Sequence, residues 1–165
     1  MTIDTLKSSE LFRGLSPSNL EKVASLCRSG SYRPNTTIFK EGDEAVNLYI
    51  LTGGQVALEM DVRPVPSRPA IPTAVEVCPK GQILGWSALV EPYTYTLSAR
   101  CMTNCTVLAI KGDILRKLMD DDVSLGYELL KGLTKVITRR LGEVRLRMIS
   151  GLGLLMLGKE PGAAG

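Results

Sequence analysis

The rhythm of apolar and polar positions divides this chain into three stretches. Near the start, Leu6, Leu11 and Phe12 form the apolar side of a short helical lead-in over residues 3–14. The next run, GLSPSNLEKVASLC, has Ser16 as an N-cap and Pro17 at the first helical position, with Leu20, Val23, Ala24 and Cys27 at helical spacing. Gly30 is expected just past the end of that helix. From Tyr32 the period shortens. Thr36–Phe39, Leu48–Leu51, Gln55–Met60, Ala74–Cys78, Thr94–Cys101 and Thr106–Ile110 read as short strands, separated by turn signals at Glu41-Gly42-Asp43, Gly53-Gly54 and Lys80-Gly81. Many short strands with glycine turns predict a barrel, roll or sandwich. Val62 to Pro72, VRPVPSRPAIP, holds four prolines. Proline has no N–H to give a ladder, so this stretch is expected as an exposed loop within a hairpin.

After Ile110 the helical period returns. Lys111 to Met119 reads as one short helix, and Asp120-Asp121-Asp122 supplies a cap and favourable charge for a second, over about residues 121–148. Leu125, Leu129, Leu130, Leu133, Val136, Ile137, Leu141, Val144 and Met148 step along it by threes and fours. A helix of about 25 residues spans about 38 Å, more than one small β-domain covers. Leu129, Leu133, Val136, Ile137, Leu141 and Val144 are therefore expected to pair with the same helix of a second chain, making a homodimer. Gly126, Gly132 and Gly142 each weaken this helix by about 1 kcal/mol relative to alanine. Either a close backbone approach requires them or they are tolerated. The remainder, 149–165, is apolar first and then rich in glycine and alanine, and is expected to be a flexible tail that frays after about Gly158.

Composition narrows the functional classes. With 165 residues, 44% of them hydrophobic and 22% charged, the chain has the balance of one globular domain. It contains no histidine, which excludes Ser-His-Asp triads, Cys-His pairs and histidine-held metals. No nucleophile–base pair or metal cluster emerges, so an enzyme is not expected. Cys27, Cys78, Cys101 and Cys105 match no zinc or haem spacing. The start, MTIDTLKSSE, is not a signal peptide, and the apolar stretch from Ile149 to Gly158 is far shorter than the ~20 residues of a membrane span. A cytoplasmic location, away from the membrane, is expected. Cys101 and Cys105 flank a three-residue turn. They are either a redox-sensitive pair or, more commonly, two half-buried small apolar residues. The net charge of +3 is mild, but Lys131, Lys135, Arg139, Arg140, Arg145 and Arg147 all fall on the long helix. Such a stripe either touches nucleic acid or an acidic partner or, more often, is the solvated face of a dimer helix.

Four segments carry a resemblance to a known family. LFRGLSPSNLEKVASL, TIFKEGDEAVNLYILTGGQVAL, KGQILGWSAL and DDDVSLGYELLKGLTKVITRRLGEV together resemble the cyclic nucleotide-binding domain of the catabolite activator and FNR-like (Crp/Fnr) regulators. The likeness covers about residues 11–148. It implies an α+β, mainly β fold: a jelly-roll-like β-roll over about 30–110, preceded by helices and followed by a long dimerisation helix, forming one domain over 1–148. In the family, a short helix after a glycine offers backbone N–H groups to a cyclic phosphate, a glutamate binds the ribose, and an arginine pairs with the phosphate.

This chain departs from that pattern. Gly85 matches the glycine, Trp86 stands in the glutamate position and Tyr95 in the arginine position. The resemblance therefore implies a candidate pocket made of Leu84, Gly85, Trp86, Ser87, Ala88, Leu89, Tyr95 and Thr96, with Arg145 of the long helix as a polar candidate. Three fillings stay open: the pocket's own side chains, a planar or apolar ligand, or a cyclic nucleotide such as cAMP or cGMP. No cofactor is fixed. The expected function is a ligand-sensing or regulatory module that meets a second copy and a regulatory protein partner. The alternative is the effector part of a transcription regulator without its DNA-binding domain. The roughly 15 residues after Met148 cannot supply a helix-turn-helix, so direct DNA binding is not expected.

Overall fold

A computed structural model describes residues 2–157, with side-chain surroundings as far as residue 151. Helices α1 (Thr2–Ser8) and α2 (Pro17–Leu26) lead into strands β1 (Arg28–Tyr32), β2 (Thr37–Phe39), β3 (Asn47–Gly53), β4 (Gln55–Val62), β5 (Ile71–Pro79) and β6 (Ile83–Leu84). One 3-10 turn, Trp86–Leu89, precedes β7 (Ser98–Cys101) and β8 (Cys105–Lys111). Helices α3 (Gly112–Asp121) and α4 (Val123–Leu157) follow. The strands form two antiparallel four-stranded sheets in the orders β1-β8-β3-β6 and β2-β7-β4-β5. This is the α+β, mainly β roll that the strand spacing and the resemblance predict.

Two apolar layers hold the roll together. One lies between the helices and the first sheet, where Leu6, Leu11, Phe12, Leu125 and Leu129 meet Leu48, Ile50 and Ile110. The other lies between the sheets, where Tyr49, Leu51, Val56, Leu58 and Val107 meet Phe39 and Tyr95. Strand β3 has a core on each face, so its LYIL reads as a continuous apolar run rather than an alternation. The helix starts follow the expected capping logic. The Ser16 hydroxyl accepts the Asn19 N–H at 3.2 Å, and Asp122 accepts the Leu125 N–H at 3.1 Å while holding Lys22 at 2.7 Å.

The structure corrects several expectations. Gly30 does not end a helix: it lies in β1, paired with Val107, and a Cβ there would approach a Val107 methyl at 3.2 Å. The polar RSGSY of β1 and the two-residue β6 carry no alternation, so pattern reading passes over them. Strand β5 begins at Ile71 and accepts Pro72 and Pro79 because it is an edge strand. β7 is only Ser98–Cys101, with Thr94 left in an isolated bridge to Glu44. Helix α4 does not stop near Met148 but continues to Leu157, with no proline before Pro161 to break it. The expected fraying after Gly158 lies outside the described residues.

The long helix also divides its apolar residues differently from expectation. Leu129, Leu133 and Val136 are not at a free face: they belong to the domain's own core. Ile137, Leu141 and Val144 are 40%, 49% and 44% exposed. The glycines follow the same division. A Cβ on Gly132 would lie 2.2 Å from the Leu11 carbonyl oxygen and one on Gly126 2.7 Å from that of Met119, so both glycines permit close backbone approach. A Cβ on Gly142 would meet nothing within 4 Å.

Candidate ligand pocket

The pocket forms where β6 runs into the 3-10 turn. Gly85 has φ +70°, and a Cβ there would lie 2.9 Å from both the Asn47 carbonyl oxygen and the Tyr95 ring. Only glycine meets both demands. Behind the turn, Arg116 of α3 donates to the Ala88 carbonyl, and its guanidinium lies 3.9 Å from the Tyr93 ring centre. The close approach of Gly112 to Ala88 seats α3 against the same turn.

Tyr95 faces inward as a strut. Its hydroxyl donates to the Asn47 carbonyl at 2.8 Å and accepts the Asn47 N–H at 3.1 Å, which spends its polar capacity on the backbone. Its ring stacks on Phe39 at a centroid distance of 4.0 Å. Burial pushes its phenol up to about 12, so it stays neutral at physiological pH.

The remaining cavity is about 40 Å³, lined by Phe39, Leu58, Gly85, Trp86, Ser87, Tyr95, Thr96, Leu97 and Arg140. Of the expected site residues, Gly85, Trp86, Ser87, Tyr95 and Thr96 line it. Leu84 and Ala88 are buried in the inter-sheet core, and Leu89 packs against the helical layer. Arg145 is exposed on α4 and is not among the residues that line the cavity.

The residue that does reach the cavity from α4 is Arg140, which is 8% exposed. Its guanidinium lies 4.5 Å from the Trp86 ring centre, donates to the Ile83 carbonyl and stands 3.7 Å from Glu76. Its Nε is buried with no hydrogen-bond partner among the described residues. A signal for this role exists in the sequence. The buried stripe Leu125, Leu129, Leu133, Val136 continues by a step of four onto Arg140, so the arginine occupies a core-facing position.

The basic stripe is thereby broken up. Lys131 pairs with Glu128 at 3.2 Å, Arg139 bridges Glu10 and Glu143, and Arg140 is buried. The cysteines are all free thiols, with Cys101 and Cys105 almost fully buried. Burial first, and then the hydrogen bond with Cys105, pushes the Cys101 thiol up to about 12, far from the reactive thiolate form. Both side chains sit in the apolar layer between the sheets.

The fold is a β-roll with a glycine-led turn beneath a long terminal helix. The family model described as cyclic nucleotide-binding domain matches residues 30–122, more than half of the chain, and the chain belongs to that family. It is similar to a protein of Geobacter metallireducens GS-15 described as cyclic nucleotide-binding, at 29% identity over 86% of this chain and 98% of that one, with a TM-score of 0.73. It is also similar to the N-terminal domain of a transcriptional regulator from Streptomyces coelicolor, at 19% identity over 85% and 94% of the two chains, TM-score 0.68. The regulatory domain of Toxoplasma gondii PKA, crystallised with cAMP, matches at 20% identity over 68% of this chain and 41% of its own, TM-score 0.61. The last two likenesses show the fold alone. No curated protein matches the chain. No helix among the described residues is long and apolar enough to cross a membrane.

Proposed function

We propose that this chain is a regulatory module whose pocket is held shut by its own long helix and does not take cAMP or cGMP in the family's usual manner. The observation that carries this reading is Arg140, which reaches from α4 into the cavity and covers Trp86. A cavity of about 40 Å³ is small beside the roughly 300 Å³ at which ligand pockets begin. The side chains that would hold a nucleotide are also replaced. Trp86 cannot accept the ribose hydroxyls as a carboxylate would, and Tyr95 is committed to the Asn47 backbone. Each lost charge-assisted contact weakens binding by about 10- to 100-fold. These residues therefore do not fit a cyclic nucleotide in this arrangement.

The readout is α4. Leu130, Ile137, Leu141, Val144 and Met148 form an exposed apolar stripe at heptad-like spacing, suited to a second copy of the chain. In this reading the module acts through contact with a partner and has no catalytic role. The test uses Trp86, the only tryptophan, as a fluorescent reporter during titration with cAMP and cGMP. The expected result is no saturable response into the millimolar range. Saturation at micromolar cyclic nucleotide contradicts the reading.

A further inference from the structure

We infer that a cleft bounded by α2, α3 and strands β1, β3 and β8 is a binding site for a small amphipathic carboxylate, an aliphatic or aromatic body with one anionic head. The site is separate from the closed pocket and goes beyond the reading given for it. The cleft encloses about 540 Å³, and its walls include Leu26, Arg28, Asn47, Ala109, Lys111 and Ile114. That volume falls within the roughly 300–1,000 Å³ of small-molecule sites, whereas the 40 Å³ beside Trp86 does not. Strand pairing arranges the polar members. Arg28 lies opposite Ala109 across β1 and β8, and Asn47 lies opposite Lys111 across β3 and β8. Paired residues share a face, as do residues two apart on a strand, so all four stand on one face of the first sheet. The two cations thus flank a single small apolar residue.

Charge selects the head of the ligand. Arg28 and Lys111 are exposed, and among the described residues neither charged group makes a hydrogen bond or an ion pair. Lys22, Lys131, Arg100 and Arg139, by contrast, are each matched to an acid. The acid beside the cleft, Asp113, accepts the Ile114 N–H at 2.8 Å. A carboxylate suits a guanidinium and an ammonium together. The apolar walls select the body. Leu26 and Ala109 are half-buried and Ile114 is 43% exposed, so a bare inorganic anion would leave this surface in water. A neutral hydrocarbon would cover it and leave both cations without a partner. The cleft also adjoins the supports of the closed pocket. The Asn47 backbone holds the Tyr95 hydroxyl, and Gly112, next to Lys111, approaches Ala88 of the 3-10 turn. An occupant of the cleft therefore touches residues that seat the walls of that pocket.

The experiment is calorimetric titration of the full chain with sodium octanoate, against sodium chloride of equal ionic strength. Wild type is expected to saturate at millimolar concentration or below. Sodium hexanoate should bind at least about fourfold more weakly, because each buried methylene is worth up to about fourfold in affinity. Octylammonium, with the same body and the opposite charge, should not saturate. The double variant Arg28→Gln, Lys111→Gln is expected to lose at least about tenfold in octanoate affinity with its circular dichroism unchanged, since both side chains are exposed. Ile114→Ser should shrink the preference for octanoate over hexanoate. No saturable response to octanoate, equal affinity for octanoate and octylammonium, or a double variant that binds like wild type overturns the inference. If the double variant does not fold, Ile114→Ser decides, and a chain-length preference unchanged from wild type overturns it.

Discussion

The two halves of α4 obey different rules although they form one continuous helix. The first half, from Val123 to Val136, is keyed into the domain: Leu125, Leu129, Leu133 and Val136 are core, and Gly126 and Gly132 let its backbone approach Met119 and Leu11. The second half, from Ile137 onward, has Ile137, Leu141, Val144, Leu146, Met148 and Ile149 exposed, and a Cβ on Gly142 would meet nothing within 4 Å. Two arginines tie the second half back to the domain: Arg140 is buried over Trp86, and Arg139 pairs with Glu10 at 3.0 Å. The same residue type therefore means different things twelve positions apart. A leucine at 129 builds the fold, whereas a leucine at 141 stays half exposed to solvent.

Substitutions in the two halves should separate accordingly. The largest difference is expected between Leu129→Ala and Leu141→Ala. The first leaves a cavity in the core and should cost about 3 kcal/mol of unfolding free energy in urea, whereas the second should cost under about 1 kcal/mol. Equal losses would dissolve the division. Next comes Gly132→Ala, where the clash with the Leu11 carbonyl outweighs the gain in helix propensity, for a net loss of about 2 kcal/mol. Gly142→Ala should carry the opposite sign, a gain of up to about 1 kcal/mol, because only the propensity changes.

Light scattering probes the outer stripe. The wild type should be a dimer, and Leu141→Glu should weaken association at least tenfold while leaving the circular dichroism of the fold intact. A monomeric wild type removes the role given to that stripe.

The smallest effect concerns the start of the helix. The hydrogen bond from Lys22, and then that from the Leu125 N–H, hold the Asp122 carboxyl below its ordinary value of 3.8. A lowered folded value means the contribution is fully present above pH 3.8 and is lost as pH falls through the lowered value. Asp122→Ala should flatten that part of an acid-unfolding curve, and an unchanged slope would show the cap to be silent.

Most of the fold was legible because its signals are local. Ser16-Pro17 and Asp122 announce helix starts, and Gly53-Gly54 and the proline loop announce hairpins. β1 and β6 escaped because RSGSY is polar and IL is too short to show a period. Their pairing is dictated by β8 and β3 across the sheet, which is tertiary information. In the pocket, Gly85, Trp86, Ser87, Tyr95 and Thr96 could be located by their likeness to a family motif, but what fills it could not. Arg140 lies 45 positions beyond Tyr95 and reads as one more charge on a basic helix. Only the phase of the buried stripe marks it as inward-facing, and Ile137 and Leu141 obscure that phase by starting a second stripe of their own. Arg145 came from the likeness to the family, and in this structure it is exposed on α4.

The measurement closest to the central claim is amide hydrogen exchange along α4, in wild type and Arg140→Gln. If Arg140 fastens the helix to the pocket, the amides of residues 137–142 should exchange at least several-fold faster in the variant, while those of residues 129–136 keep their protection. Identical exchange over 137–142 in the two proteins would contradict the account, because Arg140 would then be a passenger on a helix held in place by other contacts.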